Sequence, residues 1–123
     1  MGTILDTNVI IEIARGNESI FKKVLSVDTY FYITTITSFE ILVGVPKLRE
    51  MDLLNSFERL PLDDRAAEVA ANIYGKIKKD GKMTGIRDLF IGSICIAHKL
   101  PLVTMDRDFE RLRRFGLELV LVG

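Results

Sequence analysis

Residues 3–10 read Thr3-Ile4-Leu5-Asp6-Thr7-Asn8-Val9-Ile10, and this stretch decides the fold. Thr3-Ile4-Leu5 is a short apolar run that reads as a buried strand, and it ends at Asp6. Asn8 to Ala14 then carries the spacing of a helix, stopped near Gly16. A strand that ends on an acid and turns straight into a helix is the first half of a β-α unit. The same order returns late in the chain. Asp88 to Leu100 is apolar nearly all round and reads as a buried helix, Pro101 breaks it, and Leu102-Val103-Thr104 is a strand with Asp106 just beyond.

The intervening chain follows the same grammar. Ser19 to Ser26 is a helix with Ile20, Phe21, Val24 and Leu25 on one face. Tyr30 to Ile33 is aromatic and β-branched and suits a strand. A helix from about Ser38 to Val43 ends at Gly44, and Pro46 opens another that runs to about Arg59. Asp63 or Asp64 caps a longer helix whose face is Ala66, Val69, Ala70, Ile73 and Ile77, and which ends in Lys78-Lys79-Asp80-Gly81. Leu117 to Val122 is a closing strand. Alternating strands and helices predict an α/β fold in three layers: a central, mostly parallel sheet of about four or five strands with helices on both faces. Ligands of such sheets bind outside the carboxyl ends of the strands. Asp6 and Asp106 each follow a strand, so both carboxylates belong on one rim.

Composition narrows the function classes. The 123 residues form one domain, 1–123, with 48% hydrophobic and 28% charged residues, a globular mixture without repeats or a linker. Lys plus Arg and Asp plus Glu both number 17, so the net charge is zero. A uniformly basic nucleic-acid binder is excluded, and any nucleic acid must be held by a local basic patch or through metal ions. Cys95 is the single cysteine, which rules out an intrachain disulfide; it sits in the apolar run Ile94-Cys95-Ile96-Ala97 and reads as core. The first residues lack the basic start and apolar stretch of a signal peptide, and no run approaches the ~20 apolar residues of a membrane span. A soluble, cytoplasmic protein with no membrane partner is expected.

The acids carry the chemistry. Asp6 follows a strand, Glu40 lies inside Phe39-Glu40-Ile41-Leu42-Val43, Asp88 opens the most apolar helix, and Asp106 follows Leu102-Val103-Thr104-Met105, with Asp108 two residues on. Each has a plain reading. Asp6 and Asp88 are acceptable helix caps, Asp106 a turn residue and Asp108 a surface charge. Glu40 is harder to place, because a carboxylate on a mostly apolar helix must reach solvent or meet a cation. Taken together, several carboxylates at one rim would raise one another's pKa, and a divalent cation removes that penalty. All are oxygen donors, and a lone His98 and Cys95 make no zinc set, so Mg²⁺ or Mn²⁺ is the expected cofactor. His98 is an unsuitable general base: ten positions beyond Asp88 on a helix is ~15 Å along the axis.

Four segments together resemble the PIN domain, in particular the VapC-like toxins of toxin–antitoxin pairs. They are Leu5-Asp6-Thr7-Asn8-Val9-Ile10, Thr37-Ser38-Phe39-Glu40-Ile41-Leu42-Val43-Gly44, Arg87-Asp88-Leu89-Phe90-Ile91-Gly92 and Thr104-Met105-Asp106-Arg107-Asp108-Phe109, in the family's order and across almost the whole chain. The resemblance implies a PIN-like fold and makes Asp6, Glu40, Asp88 and Asp106 the catalytic acids and metal ligands, with Asp108 an additional ligand. It matches Thr104 to the hydroxyl residue before the fourth acid and Asn8 to the small polar residue after the first. Gly92 stands where many relatives carry alanine, a small-for-small change. The resemblance also implies Mg²⁺ or Mn²⁺, endonucleolytic cleavage of RNA by a metal-activated water, homodimers and inhibition by a small antitoxin. On this reading Asp6, Asp88 and Asp106 hold one metal ion and Glu40 completes the site.

Basic residues flank the third and fourth acids: Lys76, Lys78, Lys79, Lys82 and Arg87 before one, Arg107, Arg111, Arg113 and Arg114 after the other. They read as a helix C-terminus and a solvated helix face, with Arg87 and Arg107, next to the acids, the best placed to touch RNA together with Asn8 and Thr104. The apolar residues Leu48, Met51, Leu53, Leu54 and Phe57 read as core, or as one wall of an antitoxin groove. Two other classes compete. A phosphoaspartyl phosphatase needs a second acid two residues after Asp6, where Asn8 stands, and a receiver domain needs an early acidic pair and a late lysine. A non-catalytic module could use the acids to hold a structural metal or a basic partner.

Overall fold

The computed structural model describes residues 1–44, 46–81 and 84–123, so Lys82 of the basic stretch lies outside the described residues. Strand β1 (Thr3–Leu5) is the middle of a five-stranded sheet. With β2 (Phe31–Thr34), β3 (Glu58–Leu60), β4 (Leu102–Thr104) and β5 (Leu119–Leu121) it forms the order β3-β2-β1-β4-β5, every neighbouring pair parallel. The chain winds outward from β1 to β2 and β3, then returns to the other side of β1 for β4 and β5. The order therefore reverses between β1 and β4, and there a parallel sheet opens a crevice at its carboxyl edge.

Side-chain alternation along β1, β2, β4 and β5 feeds two cores. Ile4, Leu102 and Leu119 face α5 (Asp64–Lys79), α6 (Ile86–His98) and a 3-10 helix, Arg107–Phe115. Leu5, Ile33, Val103 and Val120 face α1 (Thr7–Ala14), α2 (Glu18–Val27), Ile41 of α3 (Thr35–Val43) and Leu54 of α4 (Leu48–Ser56). Two helical layers enclose the sheet, as expected for parallel strands that bury both faces. Asp63 caps α5 by accepting from the Ala66 N–H at 2.9 Å, and Ala66, Ala70, Ile73 and Ile77 are its buried stripe. Among the described residues no helix is long and apolar enough to cross a membrane.

The structure departs from the sequence reading in several elements. Pro46 precedes α4, whose N-cap is Lys47, with Glu50 accepting from the Lys47 N–H at 3.0 Å. That helix stops at Ser56, and the next residues form β3 at the sheet edge. Glu58 and Arg59 are exposed there and only Leu60 is buried, so the strand carries too few apolar positions to show an alternation. On α2, Ile20 and Val24 reach the core while Phe21 and Leu25 stay exposed. Leu48 is exposed too, whereas Leu54 is buried. Gly85 is the N-cap of α6, so Asp88 lies inside the first turn and does not cap the helix.

Gly92 marks where α6 meets the 3-10 helix: it is buried, and a Cβ there would run into Cδ1 of the buried Leu112. Alanine improves helix propensity by up to ~1 kcal/mol, while overpacking costs about 1–3 kcal/mol. We expect Gly92→Ala to lower unfolding stability by roughly 1 kcal/mol in urea titrations, and Leu112→Ala to remove that penalty in the double variant. A more stable Gly92→Ala protein would show that Leu112 moves aside freely.

Candidate active site

Asp6 is the residue at which β1 ends and α1 begins. Its extended backbone makes it the N-cap, and Oδ1 accepts from the Thr7 N–H at 2.8 Å. The plain reading of this acid as a cap therefore holds, but it covers only part of what the carboxylate does. Oδ2 accepts from the Thr104 hydroxyl at 2.7 Å, at the end of the adjacent strand β4. Oδ1 also accepts from Arg87 Nη2 at 2.9 Å. The residue has 0% exposure, so these donors replace water entirely.

Arg87 binds more than one acid. Its Nε donates to Glu40 Oε2, and its Nη1 donates to Asp88 Oδ1 at 2.5 Å. One guanidinium thus pairs with acids from the β1–α1 junction, from α3 and from α6. This answers the question posed by Glu40: on its largely apolar helix it meets a cation, and the cation is Arg87. Thr7 supports the same acid, its hydroxyl lying 2.5 Å from Glu40 Oε1 and 3.0 Å from the Thr37 hydroxyl. A carboxylate only accepts, so the single Thr7 proton belongs to Glu40 and Thr37 donates to Thr7.

A second group forms on the other side of Asp88. One carboxylate oxygen each from Asp88, Asp106 and Asp108 lie within 4.8 Å of one another. Converging carboxylate oxygens are donors of the kind that a hard cation such as Mg²⁺ takes. Burial pushes the Asp88 carboxyl above its usual value; the Arg87 bond and charge oppose this, and the charges of Asp106 and Asp6 add to it. For Arg87, burial alone acts to lower the pKa, but the Glu40 hydrogen bond, the charges of Asp6 and Glu40 and the Asp88 bond outweigh it and hold the group above its usual value. A carboxylate destabilised by burial and by neighbouring carboxylates is one that a divalent cation would relieve. Asp106 also caps the 3-10 helix, accepting from the Asp108 N–H at 2.9 Å.

The acids foreseen in the sequence thus meet at one rim, divided into a set around Arg87 and a set facing outward, with Asp88 common to both. The other foreseen residues take different places. Thr104 is buried: it donates to Asp6 and accepts from the Asp106 N–H at 3.1 Å, which ties two acids together. Asn8 Oδ1 accepts from the Met105 N–H at 3.4 Å and fastens α1 to the end of β4. Arg87 turns inward to the acids, where the sequence suggested an RNA contact. Arg107 is 79% exposed, 3.7 Å from Glu110. Arg114 bonds Asp80 at 2.8 Å and stacks on Phe115, and Arg113 bonds the Leu119 carbonyl at 3.3 Å. Cys95 is buried, and burial raises its thiol pKa, as core packing requires. His98 is exposed at the far end of α6. Thr7 and Thr37 were missed; their one sequence signal is that each lies within a segment that carries an acid.

Comparison with known proteins identifies the family. The model of the PIN domain matches residues 3–115. The chain is 42% identical over 94 residues to "Ribonuclease VapC3" of Methanocaldococcus jannaschii, covering 76% of this chain and 98% of that protein. Among solved structures it resembles VapBC-5 of Mycobacterium tuberculosis, described as a member of the VapBC family of toxin-antitoxin systems, with TM-score 0.70, 25% identity and 98% of each chain covered. It also resembles VapBC2 of Rickettsia felis bound to a promoter DNA fragment, with TM-score 0.82, 21% identity and 100% of each chain covered; at that identity the likeness concerns the fold. With a parallel sheet that reverses between β1 and β4, acids on the rim at that point, and a family match across most of its length, the chain belongs to the PIN domain family, among its VapC-like members.

Proposed function

We propose that the chain is a Mg²⁺- or Mn²⁺-dependent endoribonuclease and the toxin of a VapBC-type toxin–antitoxin pair, acting in the cytoplasm. The observation that carries this reading is the approach of Asp88, Asp106 and Asp108 at the rim beside buried Asp6, in a chain similar to a protein named a ribonuclease. Asp88, Asp106 and Asp108 would hold the cation, with Asp6 and Glu40 supplying negative charge behind it. Once bound, the cation supplies an acidified water and offsets charge on the phosphate under attack. Asp6 acts mainly by position, because donors from three elements fix both its oxygens. Thr104 holds Asp6 and Asp106 at a fixed separation. Arg107, exposed next to Asp106, would meet an RNA phosphate on this reading.

The partner reading rests on two surfaces. Phe39, Leu42 and Val43 expose 65%, 51% and 64% of their surface along α3, an apolar strip that suits a second copy of the chain. A groove of about 430 Å³ between α1, α2 and α4, lined by Ile13, Ala14, Phe21, Arg49 and Leu53, suits an antitoxin segment.

The purified protein should cleave RNA with Mg²⁺ or Mn²⁺ and stop cleaving in EDTA, and Asp6→Asn should reduce the rate on the order of 100-fold. Equal cleavage under all these conditions would point to a contaminating nuclease. Mg²⁺ binding without cleavage of any RNA would replace the enzyme reading with a non-catalytic binding module. Thr104→Val keeps the side-chain volume but leaves Asp6 and the Asp106 N–H each short of a partner. It should lower stability by about 1–3 kcal/mol and slow cleavage by roughly 10–100-fold, read from denaturant titration and from rates on the folded fraction.

A further inference from the structure

The Arg87 guanidinium sits where a cation is needed and is part of the chain itself. It donates from three different nitrogens to three different carboxylates: Nη2 to Asp6, Nε to Glu40 and Nη1 to Asp88. The side chain is 33% exposed, while its partners are 0%, 26% and 16% exposed. Charge pairing at such low exposure is screened only weakly by salt. Five carboxylates share this rim, and removing one partner of a half-buried pair leaves the remaining charge uncompensated.

Asp88 is the shared element. Its carboxylate is bonded to Arg87 and is also one of the three whose oxygens converge for a cation. A guanidinium and a divalent ion held by the same carboxylate would repel each other. The two other acids of the Arg87 set, Asp6 and Glu40, are absent from the converging group, so Arg87 can keep them while giving up Asp88.

We propose that Arg87 is a built-in counterion that competes with the divalent cation for Asp88, so that it stabilises the metal-free protein and weakens metal binding. This rests on the reading of the rim as a metal site. It assigns Arg87 a positioning role and not contact with the scissile phosphate. Metal uptake then involves release of Asp88 from Arg87, while the bonds to Asp6 and Glu40 stay in place.

The test uses the full chain without RNA. Mn²⁺ affinity by calorimetry and the melting temperature with and without Mn²⁺ are measured for the native protein and for Arg87→Gln. Arg87→Gln should bind Mn²⁺ on the order of tenfold or more tighter, melt lower when metal-free, and gain more from Mn²⁺ than the native protein does. Unchanged or weaker Mn²⁺ binding by the folded variant would overturn the proposal, as would absence of Mn²⁺ binding by both proteins. Should Arg87→Gln not fold, the native protein provides the second measurement. Its ¹⁵N-arginine side-chain spectrum, with Arg87 assigned by Arg87→Lys, should change at Arg87 as Mg²⁺ is added. An Arg87 signal unmoved at Mg²⁺ saturation would overturn the competition. Loss of the ribonuclease reading is seen separately: competition measured in a protein that cleaves no RNA leaves the Arg87 assignment standing and removes the enzyme.

Discussion

A carboxylate with no exposed surface is costly to bury unless the protein supplies donors in place of water, and Asp6 receives them from three directions. The backbone N–H at the start of α1 comes from the residue next to it. The Thr104 hydroxyl comes from the end of β4, and the guanidinium from the first turn of α6. Each bond fixes the relation of one element to the end of β1. The strand order, the strand–helix junction and the approach of α6 to the rim are all constrained by this one buried charge.

The topology makes such a place available. With β1 in the middle and the chain returning to β4 on its far side, the connections leave in opposite directions, and the crevice between them is covered by neither. Asp6 ends β1, and Asp106 lies two residues beyond β4. Thr104 joins them by accepting from one backbone and donating to the other side chain. Helices on both faces then bring in Glu40 from α3 and Asp88 from α6. The apolar alternation that sorts Ile4 from Leu5 and Leu102 from Val103 into opposite cores also orients the strand ends.

Arg87 changes how the acidic cluster is understood. From the sequence, several carboxylates at one rim demand a positive charge, and a divalent cation is the natural supplier. The tertiary structure contains a first supplier of its own. It pairs with Asp6, Glu40 and Asp88, and Asp106 and Asp108 lie beyond its reach on the other side of Asp88. The cluster is thereby graded around Asp6, which is fully buried and held by Arg87, while Asp108 at the outer end is exposed to water. This follows the general cost of dehydration: a guanidinium is more weakly hydrated than a small divalent ion, which keeps several waters.

The sequence by itself determined the α/β class, the parallel central strands, both ends of α5 and the residues at the rim. These depend on short-range signals: apolar periodicity, an acid after a strand, a capping aspartate, a proline after a helix. The strand β3 escaped it because an edge strand that buries only Leu60 leaves no pattern to read. The cap of α6 at Gly85 escaped it because glycine caps without a side-chain bond, and Asp88 was the more conspicuous residue. The partners of each acid were decided only by tertiary structure. Arg87 is 81 positions from Asp6 and 47 from Glu40, and Thr104 is 98 from Asp6. Nothing local distinguishes an arginine that turns inward from one that turns to RNA, or a threonine facing substrate from one bonded to a buried carboxylate. That choice is made by which strand ends become neighbours and by the energetic need to match Asp6, buried there, with donors.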